Sequence, residues 1–146
     1  MIYLAYNLFR YKFDTKENKK YQDWTISLIN KHFPNEDYVL PYSQNSRDEL
    51  VKKLKCEDTL IQGTFYKDLI VILGFCKKLV FFPTDGNYIG CGIFLEITVA
   101  KKLNLPIYCY NQQTNDFSLS FEIINPPDFC GDSRLESVFH KKIILN

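Results

Sequence analysis

No two of the five cysteines form a Cys-x-x-Cys pair. Cys56, Cys76, Cys91, Cys109 and Cys130 lie 15 to 21 residues apart, with only His32 and His140 beside them. A structural metal site needs ligands at short, recurring spacing, so no metal is expected. An odd cysteine count without a signal peptide suits a reducing compartment, where Cys76 and Cys109 read as small apolar residues of packed elements. An excess of charge of one sign is missing too: 18 basic and 17 acidic residues leave a net charge of +1. That is too little to draw the chain to a nucleic-acid polymer or an anionic membrane surface. No apolar run approaches the roughly 20 residues that cross a bilayer. Internal repeats, low-complexity tracts, a Gly-x-Gly-x-x-Gly fingerprint and a Gly-Lys-Ser/Thr phosphate loop are all absent, so NAD binding or ATP hydrolysis by those routes is not expected. What remains is a cytoplasmic protein with one domain over residues 1–146, long enough to bury about two-thirds of its unfolded surface, with no cofactor.

Aromatic residues, in contrast, are plentiful, with ten tyrosines and twelve phenylalanines. Most belong to a core, and the surplus can line a pocket for a planar ligand. Ile2–Tyr6 reads as a first, central strand. From Thr15 to His32 the apolar residues Tyr21, Trp24, Leu28 and Ile29 recur at helical spacing, so an amphipathic helix is expected there. Tyr38–Pro41 reads as a strand, Ser46-Arg-Asp-Glu49 as a capping box before a short helix, and Thr64 as the cap of an apolar helix to about Cys76. Strands follow at Leu79–Phe82 and Pro106–Tyr110, then a half-exposed edge strand at Phe117–Ile123. Ser133-Arg-Leu-Glu136 caps a final helix, and Ile143-Ile-Leu145 is an apolar run that frays unless docked. Strands alternating with helices predict an α/β fold of Rossmann or flavodoxin type. Its doubly wound, mostly parallel sheet has four to five strands flanked by helices, and ligands are expected outside the carboxyl ends of those strands.

The segment from Phe82 to Tyr110 is strand, glycine loop, helix, strand. Wound from Ile93, the helix puts Glu96 between Leu103 and Ala100, beside Ile93 and Val99, on the face that packs. A carboxylate there is paired, protonated or in use, because burying it unpaired costs several kcal/mol. A position in the first helical turn offsets part of that, by roughly 0.3 to 1 kcal/mol. A buried ion pair with lysine or arginine and a cap on its own helix are the structural alternatives. Cys91, between two glycines at the helix start, is a conceivable thiolate nucleophile but has no histidine placed near it by any motif. Asp85-Gly86 fits a turn as well as a site.

Ile2-Tyr-Leu-Ala, Asp68 early in the apolar helix, Asp85-Gly86, Gly92, Glu96 and Ala100 stand in an order and spacing that resembles the nucleoside 2-deoxyribosyltransferase family over roughly residues 2 to 110. That family includes relatives that hydrolyse nucleoside 5'-monophosphates. The resemblance implies that Glu96 is the nucleophile attacking the anomeric carbon, that Asp68 contacts the base and moves a proton to the departing nitrogen, and that Tyr3 orients Glu96. It also implies a substrate-binding set of Phe9, Tyr6, Asp85, Gly86, Gly90 and Gly92, a nucleoside or nucleotide as ligand, and a homo-oligomer whose subunits complete one another's pockets. The chain departs from the family at Gly90, where an aspartate or serine is usual, at Ile97-Thr98-Val99, and at Lys77-Lys78. Gly90 offers a phosphate only its backbone N–H. Two other readings stay open: a non-catalytic pocket of the same fold that binds a nucleotide or nucleotide-like signal, and an interaction protein whose sheet is scaffold.

Overall fold

The computed structural model describes residues 1–7, 15–56, 65–125 and 141–146. Five strands form one sheet in the order β2-β1-β3-β5-β6: β1 (Ile2–Tyr6), β2 (Tyr38–Val39), β3 (Lys78–Phe82), β5 (Ile107–Asn111) and β6 (Asp116–Ser118). The first four run parallel and β6 closes the edge antiparallel to β5. Every residue of β1 is buried, as are four of the five in β3, which is why these strands read as unbroken apolar runs rather than alternations. β3, not β1, takes the middle place.

Side-chain alternation along β1 divides the core in two. Ile2, Leu4 and Tyr6 pack with Tyr21 and Ile29 of α1 (Thr15–His32), with Val80 and Phe82 of β3, and with Tyr110. Tyr3 and Ala5 pack in a second cluster with α2 (Arg47–Leu54), α3 (Phe65–Gly74) and α4 (Cys91–Lys102). Each fully buried Leu or Ile in these clusters contributes about 1.5 to 3 kcal/mol. α1 has the bounds its periodicity predicts. α2 carries the full capping box, with Ser46 Oγ accepting from the Glu49 amide and Glu49 accepting from the Ser46 amide, both at 3.1 Å.

A second, three-stranded antiparallel sheet has the order β4-β8-β7 and departs from the expected single sheet. It joins β4 (Tyr88–Ile89), β7 (Phe121–Ile124) and β8 (Lys141–Leu145). The run expected as one edge strand from Phe117 to Ile123 is therefore two. Its first part pairs with β5 and its second with β8, and the break falls at Leu119, 59% exposed. Ile143 is buried in the Tyr3 cluster, so the apolar run that frays unless docked is docked on its own chain. The Thr64 cap, Phe9 and the helix expected from Ser133 lie outside the described residues. Among those described, no helix is long and apolar enough to cross a membrane.

Candidate functional site

The buried positions of α4 are Ile93, Glu96, Ile97, Val99 and Ala100, and this three-and-four spacing sets Glu96 on the packing face. The helix begins at Cys91 with Gly90 as its N-cap, two residues before the expected start. Glu96 consequently stands in the second turn, where the field of the helix end has faded. It is 5% exposed. Burial pushes its carboxyl up to about 8, and a hydrogen bond from Tyr3 offsets only part of the rise, so at neutral pH the group is mostly protonated. Glu96 Oε2 has no hydrogen-bond partner among the described residues, and no basic side chain among them pairs with it. The ion-pair alternative is not realised there.

Three further side chains connect to this acid. Tyr3, fully buried on β1, donates its hydroxyl proton to Glu96, and burial, with the nearby carboxyl, holds that hydroxyl well above the usual tyrosine range. The same oxygen accepts the Tyr42 backbone N–H at 2.8 Å. The Tyr42 hydroxyl in turn donates to Asp68 Oδ2 at 2.8 Å. Desolvation and then Asp68 raise the Tyr42 hydroxyl above its ordinary value. Asp68 is buried in the first turn of α3, next to Leu69 and one turn ahead of Ile72. Tyr42 is therefore held at both ends, its backbone N–H on the Tyr3 oxygen and its hydroxyl on Asp68, which places the carboxyl-bearing start of α3 and the β1 tyrosine around one turn.

Tyr42 is the member that sequence reasoning missed. β2 stops at Val39, short of the expected Pro41, which instead caps a single 3-10 turn at Tyr42–Gln44, and the Asn45 side-chain amide ties this turn to the Leu40 and Pro41 carbonyls at 2.9 and 2.8 Å. The available signal was modest: an aromatic directly after a proline, with an asparagine three residues on, a pattern that suits a pinned turn.

Several expected partners stand elsewhere. Tyr6 is three residues from Tyr3 and so faces the opposite side of the sheet, where its hydroxyl accepts from Gln22 Nε2 at 2.8 Å. Asp85 and Gly86 form a turn in which the Asn87 N–H bonds the Thr84 carbonyl at 2.9 Å. Gly86 has φ +82°, a conformation that favours glycine, and a Cβ there would lie 3.0 Å from the Tyr88 ring. Asp85 is exposed and borders a cavity of about 420 Å³ with Tyr21, Trp24, Tyr110, Gln112 and Asn115. Glu96, Tyr3 and Asp68 do not line that cavity. Gly90 and Gly92 stay at the start of α4, and a Cβ on Gly92 would meet nothing within 4 Å. Among the described residues no three His, Cys, Asp or Glu side chains converge as a metal would need.

Comparison of this chain with known protein families, with curated proteins and with solved structures finds no match. Function has to be argued from the site itself.

Proposed function

We propose that the protein breaks the N-glycosidic bond of a (deoxy)nucleoside or nucleotide through Glu96. The observation that carries this reading is the buried carboxyl of Glu96 held by Tyr3, with a second buried carboxyl, Asp68, tied by the Tyr42 hydroxyl to the turn whose backbone N–H meets the Tyr3 oxygen. Breaking such a bond builds positive character on the anomeric carbon, and a carboxylate on one side with a proton donor on the other meets both demands. Ionised Glu96 attacks the anomeric carbon as the bond to the base nitrogen breaks. The bonding pair leaves with the base, which takes a proton delivered by way of Asp68. Water or a second base then displaces the ester, transferring the sugar and restoring the carboxylate. Tyr3 donates to that carboxylate and fixes its orientation. The five-stranded sheet is read as doubly wound, with its ligand at the carboxyl ends of the strands, and the resemblance adds a homo-oligomer.

The test is incubation with deoxynucleosides and their 5'-monophosphates, with and without a free acceptor base, followed by chromatography for released or exchanged base. Glu96→Gln is expected to remove at least about a thousandfold of that turnover with the fold intact, and unchanged turnover overturns the proposal. Wild-type turnover should climb with pH up to about 8 as Glu96 ionises.

The protonated, 5%-exposed state of Glu96 favours a second reading, in which the acid only donates a hydrogen bond to a bound nucleotide. Saturable binding across the same panel with no base released selects it.

A further inference from the structure

The cavity that Asp85 borders lies on the α1 side of the large sheet, away from Glu96, and its lining has a chemistry of its own. Trp24 is the one tryptophan of the chain. Its indole stacks on Tyr21 at 5.6 Å and 26°, and the rings of Tyr110 and Phe82 meet it edge-on at 5.3 and 5.7 Å. Three aromatic neighbours hold the indole, yet it remains 40% exposed and borders the cavity. A large aromatic surface left open beside a cavity and fixed by its neighbours is a stacking shelf for a planar ligand.

Two amides stand beside the shelf. The Tyr110 hydroxyl donates to Asn115 Oδ1 at 2.8 Å, which fixes that amide and leaves its NH₂ without an acceptor among the described residues. Gln112 Nε2 reaches the Pro83 carbonyl at 3.4 Å, leaving Gln112 Oε1 to accept. A fixed donor and an acceptor next to an aromatic shelf suit a heterocycle whose edge carries an acceptor and a donor, as the Watson–Crick edge of every nucleobase does.

We propose that this cavity is a second ligand site, separate from Glu96, for a nucleobase-type heterocycle stacked on Trp24 and held along its edge by Asn115 and Gln112. Being the chain's one tryptophan, Trp24 reports on the site directly.

The experiment is titration of Trp24 emission, and in parallel calorimetry, with free purine and pyrimidine bases, their nucleosides and their 5'-monophosphates. Saturable quenching is expected from bases and nucleosides. Asn115→Asp keeps an oxygen facing Tyr110, tolerates the φ of +53° at that position and replaces the donor with an acceptor. It should weaken binding about tenfold or more. Trp24→Leu should abolish calorimetric binding, and Trp24→Phe should restore part of it. Glu96→Gln should leave the quenching curve unchanged, which separates this site from the proposed catalytic one. No saturable response to any base or nucleoside overturns the proposal. So does binding that Glu96→Gln removes and Asn115→Asp spares.

Discussion

The two sheets of this protein are built on opposite terms. In the large one, β1 and β3 are covered on both faces; β1 itself supplies Tyr3, and the helices and turn that the sheet positions supply Glu96, Tyr42 and Asp68. In the small one, β7 has no fully buried residue, and β8 has one, Ile143. Yet the small sheet meets the site's own segment: the Ile143 N–H donates to the Asn87 carbonyl at 2.7 Å, and β4 runs directly into Gly90 and α4. Burial on both faces organises the chemistry, and a marginal sheet then fixes the loop that leads into it.

The sharpest way to set the two regions apart is pH. An unfolded Glu96 loses its proton near 4.5 and the folded one near 8. Across that window the unfolded state binds fewer protons, so stability is fully present below about 4.5 and falls as pH rises to 8, by an amount of the order of 4 kcal/mol. Denaturant melts at pH 5 and pH 8.5 measure it, and in Glu96→Gln the difference should vanish. A fall that persists in the variant means that a group other than Glu96 titrates.

Ile143→Ala probes the small sheet and should cost about 2 to 4 kcal/mol, while Ile144→Ala, at a residue 36% exposed, should cost under about 1 kcal/mol. Equal losses would mean that β8 does not dock in the core. Tyr42→Phe, in the large-sheet region, removes one hydrogen bond to a buried carboxylate and should cost about 1 to 2 kcal/mol, accompanied by a loss of any turnover that depends on Asp68. Base release that survives in full would remove Tyr42 from the site. Ser46→Ala gives the smallest effect, about 1 kcal/mol from the lost cap, read as a shift in the denaturation midpoint at unchanged slope.

The same contrast explains what could be read from the sequence. α1 followed from apolar residues at three and four, the α2 cap from Ser46 and Glu49, and β1, β3 and β5 from apolar runs that a doubly covered strand requires. These signals are local. β4 is two residues long, and the split after Ser118 depends on which strand each half pairs with, a choice that alternation alone cannot express. Glu96 was legible because Ile93 and Ala100 fix its face. Tyr42 was not, because its link to Tyr3 runs through a backbone N–H that any non-proline residue would supply. Tyr6 was grouped with Tyr3 although strand parity sends the two to opposite faces.

The tie between β8 and β4 also sets an order of assembly. The pairings of the large sheet are complete once residue 118 is available, whereas Ile89 cannot meet Lys141 until the intervening chain has been synthesised. Closing so long a loop for a few hydrogen bonds is slow and late. On the ribosome, the chain would therefore acquire its large sheet first, and the segment ahead of Glu96 would take its final shape only when residues 141–145 emerge.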